Sequence, residues 1–128
     1  MQAVWGDEAM EVEVRLAEIA HGRSGDKGNH ANVAVLAYTG AGYAWLREHL
    51  TAARVAEYFA ALGPSRVERY EAGNVLGLNF VLYDVLAGGA SLSLRTDSQG
   101  KALALALLEM PIRVEAEALA GMRRRPRQ

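Results

Sequence analysis

The side chains able to hold charge or move a proton gather in one stretch, His21-Gly22-Arg23-Ser24-Gly25-Asp26-Lys27-Gly28-Asn29-His30-Ala31-Asn32. His21, Asp26 and His30 are its candidate acids and bases, and a histidine there could take a proton from a hydroxyl or thioester substrate. Arg23 and Lys27, with Ser24, Asn29, Asn32 and the backbone N–H groups around Gly25 and Gly28, are candidate holders of an oxyanion or a bound anion. Lysine usage sharpens this. Of the fourteen basic residues only Lys27 and Lys101 are lysine, and each adjoins a glycine, in Asp26-Lys27-Gly28 and Gly100-Lys101. Asp97-Ser98-Gln99-Gly100-Lys101 opens a predicted helix, where unpaired backbone N–H groups favour an anion. A phosphate or carboxylate would suit both places.

Plainer readings stand beside these. The three glycines suit positive φ in a long hairpin, and Asn29 and Asn32 tolerate and satisfy turn backbone. Gly25-Asp26-Lys27-Gly28 is not a Walker A loop, which needs G-x-x-x-x-G-K-[ST] between a strand and a helix; here a strand follows. His21, Asp26 and His30 offer nitrogen and oxygen ligands, but their spacing fits no standard metal motif, so no metal is expected. No motif supports Ser24 as a nucleophile oriented by His21. Gly88-Gly89 reads as a helix end or a turn, with room for close approach of a ligand.

Strand patterns flank the polar stretch. Glu11–Ile19 alternates, with Val12, Val14 and Leu16 on one face, as a half-buried strand does. Ala31–Tyr38 is apolar and β-rich, a strand covered on both faces. The polar residues between them are more than a tight hairpin needs, so a loop is expected there. Thr39–Gly42 is a turn before a short helix, Tyr43–Leu50. Thr51 caps a second helix, Ala52–Leu62, which Gly63-Pro64 stops. Arg66–Glu71 alternates as an edge strand does. Gly73–Leu86 fits either state, and a helix is preferred, with Asn74 as its cap. Ala90–Arg95 reads as a strand and about Gln99 to Glu109 as the last helix, capped by Asp97 or Ser98 and ended by Pro111. Ile112-Arg113-Val114 suits a short strand. His49 is expected at the surface; Trp5, Trp45, Tyr43, Tyr58 and Phe59 suit core or interface. This mixture predicts an α+β class, a ferredoxin-like two-layer sandwich with a mainly antiparallel sheet and helices on one face. The domain runs over residues 11–120, after a loosely ordered 1–10 and before a basic tail from Gly121.

With 128 residues and no cysteine, one domain can build a core without staples, and disulfides and thiolate chemistry are excluded. A cytoplasmic setting is compatible with that. The start of the chain does not read as a signal peptide, and no apolar run is long enough for a membrane span. The basic residues at 123, 124, 125 and 127 leave an acidic body, and no basic face suggests nucleic-acid binding.

Arg23-Ser24-Gly25-Asp26-Lys27-Gly28-Asn29-His30-Ala31-Asn32 resembles the R-S-G-D-K-G-N-x-A-N signature of the acyclic terpene utilisation protein A family. Further pieces agree in order: Trp45-Leu46, Leu50-Thr51, Val55 with Tyr58-Phe59, Arg66-Val67-Glu68-Arg69-Tyr70, Leu78-Asn79-Phe80-Val81-Leu82, Gly88-Gly89, Ser93-Leu94-Arg95 and Asp97 with Gly100-Lys101. The resemblance spans about residues 14–110 and implies the family's small C-terminal, ferredoxin-like domain. The family is associated with bacterial breakdown of citronellol and geraniol through acyl-CoA intermediates. In full-length members a much larger domain precedes this one, so the resemblance implies a partner, either a separate large subunit or a second copy of the chain.

Three functions follow as expectations. The first is an accessory subunit whose Gly22–Asn32 stretch completes a site for an anionic acyl or acyl-CoA-type ligand, with Arg23, Lys27 and Lys101 holding negative charge. The second is a structural or oligomerisation module. The third is a small stand-alone hydratase or hydrolase. No cofactor is expected.

Overall fold

The first strand pairs with the last. In the computed structural model, which describes residues 10–85 and 101–124 and only the backbone of Lys101, β1 (Glu11–Arg15) lies antiparallel to β6 (Pro111–Glu115). Val12 and Val14 face Val114 and Ile112 across this ribbon. Ile112 and Val114 are buried, while Glu11, Glu13, Arg15, Arg113 and Glu115 point outward. The alternation at the start of the chain is therefore that of a half-buried strand, as expected, but it ends at Arg15. Leu16–Glu18 is a 3-10 turn.

Among the described residues a second, four-stranded antiparallel sheet has the order β2-β3-β5-β4. Its strands are β2 (Ala20–Lys27), β3 (His30–Ala37), β4 (Val67–Ala72) and β5 (Gly77–Leu82). The expected loop is thus a correction. Gly22–Lys27 and His30–Asn32 are strand, paired in register from Ala20↔Ala37 to Lys27↔His30, and only Gly28-Asn29 turn the chain. Gly28 has φ +63 and Asn29 is not left-handed, the pattern of a two-residue type II′ hairpin. Polar residues can run along β2 because one of its faces meets water.

A second correction concerns Gly73–Leu86, where a helix was preferred. Gly73–Val75 is a 3-10 turn and β5 follows. Leu78, Phe80 and Leu82 sit opposite Val35, Val33 and Ala31 of β3, and all six are buried. Leu78 and Leu82 fit either period, but Phe80 is apolar and buried only in the two-residue period of a strand.

Helices α1 (Gly40–His49), α2 (Ala52–Tyr58) and α3 (Lys101–Leu108) pack on the sheet face carrying those side chains. Thr39 and Thr51 cap α1 and α2 by accepting from the N–H groups of Gly42 and Arg54 at 3.0 and 3.1 Å. Arg69 closes the other end of α1, donating to the carbonyls of Arg47 and Leu50 at 2.9 and 3.0 Å. Gly63, with φ +64, ends the 3-10 turn after α2. Leu16, Ile19, Leu46, Leu50, Val55, Phe80, Leu107 and Ile112 are among the side chains buried between these layers, each stabilising the fold by about 1.5–3 kcal/mol relative to exposure. A fourth helix, α4 (Ala116–Met122), has no counterpart in the sequence reading. It runs through Gly121, where the tail was expected, because Leu119 and Met122 are buried and the Thr39 hydroxyl donates to the Gly121 carbonyl at 2.7 Å.

From β3 onward the described elements run strand, two helices, two strands, helix, strand, the order of the ferredoxin-like sandwich that was expected. β2 extends the sheet beside β3. The expected strand Ala90–Arg95, the Asp97 or Ser98 cap, Gly88-Gly89, the start of the chain and residues 125–128 lie outside the described residues.

Candidate functional site

Strand alternation sorts the polar stretch into two faces. His21, Arg23, Gly25 and Lys27 share the face of β2 turned away from the helices, with His30, Asn32, Ala34 and Leu36 of β3 and Asn79 and Val81 of β5. Gly22, Ser24 and Asp26 share the other.

On the helix side Gly22 and Ser24 do packing. A Cβ on Gly22 would stand 2.7 Å from the Ala34 carbonyl oxygen and 3.7 Å from the Ala104 Cβ. The missing side chain therefore lets β3 and α3 close on β2. Ser24 Oγ accepts from the Ala104 N–H at 3.2 Å, tying the first turns of α3 to the sheet. Lys101 opens α3, so its backbone belongs to the helix side while Lys27 stands on the outer face.

The outer face collects the charge. Arg23 and Lys27 are exposed, and among the described residues neither lies within ion-pair distance of a carboxylate. Arg15, Arg66, Arg69, Arg113 and Arg123 each have one. Beside Lys27 a depression of about 380 Å³ is lined by Lys27, His30, Asn32, Val81 and Tyr83. Asp26 also borders it, although its position in β2 alternates to the other face. The Asn32 amide donates to Asn79 Oδ1 at 2.9 Å. That bond orients both amides and leaves Asn79 Nδ2 and Asn32 Oδ1 for other partners. A Cβ on Gly25 would meet only Asn32 Oδ1, at 3.8 Å, so Gly25 keeps this surface flat without being required by packing.

His21 is not part of this group. It pairs with Leu36 while His30 pairs with Lys27, and six residues of strand separate them by roughly 20 Å. His21 stacks on Tyr38 with ring centroids 5.0 Å apart. The three candidate acids and bases therefore are not brought together. Among the described residues no cluster of three His, Asp or Glu side chains could hold a metal ion, and no helix is long and apolar enough to cross a membrane.

The far wall was not found from the sequence. His30 meets Tyr83 edge to face at 4.7 Å, and the Arg66 guanidinium lies 4.0 Å from the centroid of the same ring. Tyr83 and Tyr70 both donate their hydroxyls to Glu68 Oε1, at 2.8 and 2.6 Å, and Arg66 Nε lies 3.2 Å from Glu68 Oε2. These donors hold the Glu68 carboxyl below its ordinary range, the Tyr70 hydroxyl first and the Tyr83 hydroxyl next. The same bond pushes the Tyr70 phenol up to about 12. Asn79 and Val81 could have been found by taking Leu78, Phe80 and Leu82 as the buried alternation of a strand. Tyr83 and Asp84 then follow as its exit turn.

A model of the AtuA ferredoxin-like domain matches residues 14–113. No curated protein and no solved structure matches the chain. The family match covers β2 to β5 with the whole glycine-containing hairpin, and part of β1 and β6, and the chain belongs to the AtuA ferredoxin-like domain family.

Proposed function

We propose that this domain is a ligand-binding accessory module, and that the end of the β2–β3 hairpin takes the negatively charged part of an acyl or acyl-CoA-type ligand. The observation that carries the reading is the pair Arg23 and Lys27, on one strand face, without carboxylate partners among the described residues, beside a depression lined by His30, Asn32, Val81 and Tyr83. Arg23 and Lys27 hold charge. Asn79, oriented by Asn32, and the turn at Gly28-Asn29 offer directed donors, and Val81 with the Tyr83 ring offers apolar contact. Any proton transfer there falls to His30 or Asp26, because His21 is distant. The depression is at the small end of ligand pockets, about 300–1,000 Å³, so a CoA-sized molecule needs a second surface. A larger partner resembling the family's preceding domain would supply it, and the module would work in the cytoplasm with that partner.

Calorimetry tests this with CoA and short acyl-CoAs against the wild type, alone and with any large protein that co-purifies. Lys27→Ala and Arg23→Ala should each weaken binding about tenfold, the effect of losing one charged hydrogen bond. Absence of binding by the wild type in both states would overturn the reading.

A second reading is a docking or oligomerisation module without chemistry. It is favoured by Tyr70, half exposed at 51% on the outer face of the sheet and fixed by its bond to Glu68. Sedimentation of wild type and Tyr70→Ala separates the two, because only docking through this face depends on that ring.

A further inference from the structure

Asp84 is one of two non-glycine residues with positive φ among those described, at φ 65. Left-handed backbone is costly for such a residue and persists where the surroundings fix it. Here the surroundings are explicit. The Ser65 hydroxyl donates to Asp84 Oδ2, Ser65 N–H donates to the Tyr83 carbonyl at 3.0 Å, and Tyr83 N–H donates to the Arg66 carbonyl at 3.0 Å. The turn so held presents the Asp84 N–H to His30 Nδ1 at 3.1 Å.

That contact has a consequence for the ring. A nitrogen that accepts an N–H carries no proton, so neutral His30 must hold its proton on Nε2. The Asp84 carboxylate, with Oδ1 3.9 Å from Nδ1, therefore faces a lone pair and forms no ion pair in this state. His30 lines the depression, and among the described residues its Nε2 has no hydrogen-bond partner.

We propose that Asp84 is the positioning residue of the anion site, its backbone N–H fixing His30 as the Nε2–H donor to the ligand, so that a second proton on His30 tightens anion binding. This rests on the reading of the depression as an anion site. At higher pH the ring donates one proton from Nε2. When Nδ1 gains a proton it can no longer accept from Asp84 N–H, and the nearby Asp84 carboxylate becomes its counter-ion. The depression then carries one more positive charge. The other charged or titratable groups around the ring are Lys27, its cross-strand neighbour, Asp26 at the end of β2, and Tyr83, with Glu68 and Arg66 behind it.

Nuclear magnetic resonance of the whole chain tests this, with sulfate as the probe because its charge is constant between pH 5.5 and pH 8. Imidazole nitrogen shifts at pH 8 should show the proton on Nε2 of His30. Sulfate should perturb His30 together with Lys27 and Asn32, and its affinity should rise about ten- to thirtyfold from pH 8 to pH 5.5, as one added charge facing a dianion at contact distance in water gives. In His30→Gln, which offers a neutral amide donor, binding at pH 8 should persist and the rise should vanish. Asp84→Gly keeps the N–H and accepts positive φ, so it should keep the Nε2–H tautomer. A proton on Nδ1 overturns the proposal, as does an equal pH rise in His30→Gln. Sulfate that perturbs Arg23 and Lys27 but leaves His30 unchanged overturns it while the anion reading stands. Sulfate that perturbs none of these groups removes both.

Discussion

Replacing Gly22 by alanine separates packing from chemistry along β2. The added Cβ would sit 2.7 Å from the Ala34 carbonyl oxygen. Carbon and oxygen need about 0.6–0.9 Å more than that, judged from the ordinary range of close C···O contacts. Ala34 cannot simply retreat, because β3 is paired on its far side with β5, Ala34 opposite Asn79. Overpacking of this kind costs about 1–3 kcal/mol, and the lower chain entropy of unfolded alanine offsets about 0.4–1 kcal/mol of it. A net loss of about 1–2 kcal/mol should lower Tm by roughly 3–10 °C for a domain of this size. Gly25→Ala is the control. Gly25 lies three residues along the same strand and its Cβ would meet only Asn32 Oδ1 at 3.8 Å, so stability should be unchanged or about 0.4–1 kcal/mol higher. Thermal and urea unfolding followed by circular dichroism measure both. If Gly22→Ala is as stable as the wild type, or Gly25→Ala is the weaker of the two, the division of β2 into a packing face and an open face is wrong.

Arg69→Met removes the guanidinium that closes α1 on the Arg47 and Leu50 carbonyls and should cost about 1.5–3 kcal/mol in urea unfolding; Arg69→Lys should recover less than half, because one ammonium cannot span both carbonyls and Glu71. Thr39→Val loses both the cap on Gly42 and the tie to Gly121, so about 1–2 kcal/mol should disappear and amide exchange in α4 should quicken, whereas Thr39→Ser should restore both. Alkaline titration of the phenols by ultraviolet absorbance should show one group near 12, Tyr70, and Glu68→Gln should bring it down. The folded value lies above the ordinary 10.0, so this contribution to stability is whole below pH 10 and is lost as pH rises through about 12. Glu68, held below its ordinary 4.5, acts in the other sense: its contribution is present above pH 4.5 and lost as pH falls through the depressed value. Unfolding that is flat with pH in both ranges would contradict the Glu68–Tyr70 bond.

Local chemistry made several elements legible in the sequence alone. Thr51 before Ala52–Leu62 and Gly63 after it bound a helical segment because an N-cap oxygen and a left-handed glycine are requirements of the adjacent backbone. Arg66–Glu71 reads as a strand because charged and apolar residues alternate along it. Ala31–Tyr38 is apolar enough to demand a central place, and the ten-residue signature identifies the family. Contacts distant in the chain decided the rest. Glu11–Arg15 alternates in any setting, but only the fold brings it to Pro111–Glu115. Gly77–Leu82 satisfies two periods, and pairing with β3 and β4 selects the strand. Leu119 and Met122 became helix because a core was there to bury them. The polar residues of β2 suggested a loop, yet a strand with one face open to water needs apolar side chains on the other face at most. Once β2 pairs with β3, alternation sends Ser24 and Gly22 to packing and Arg23 and Lys27 to the outer face. Register then sets His21 far from His30, and the left-handed turn at Asp84 selects the ring nitrogen that keeps its proton. A sequence fixes which groups a chain carries; pairing register and face, set by partners many residues away, determine which of them meet.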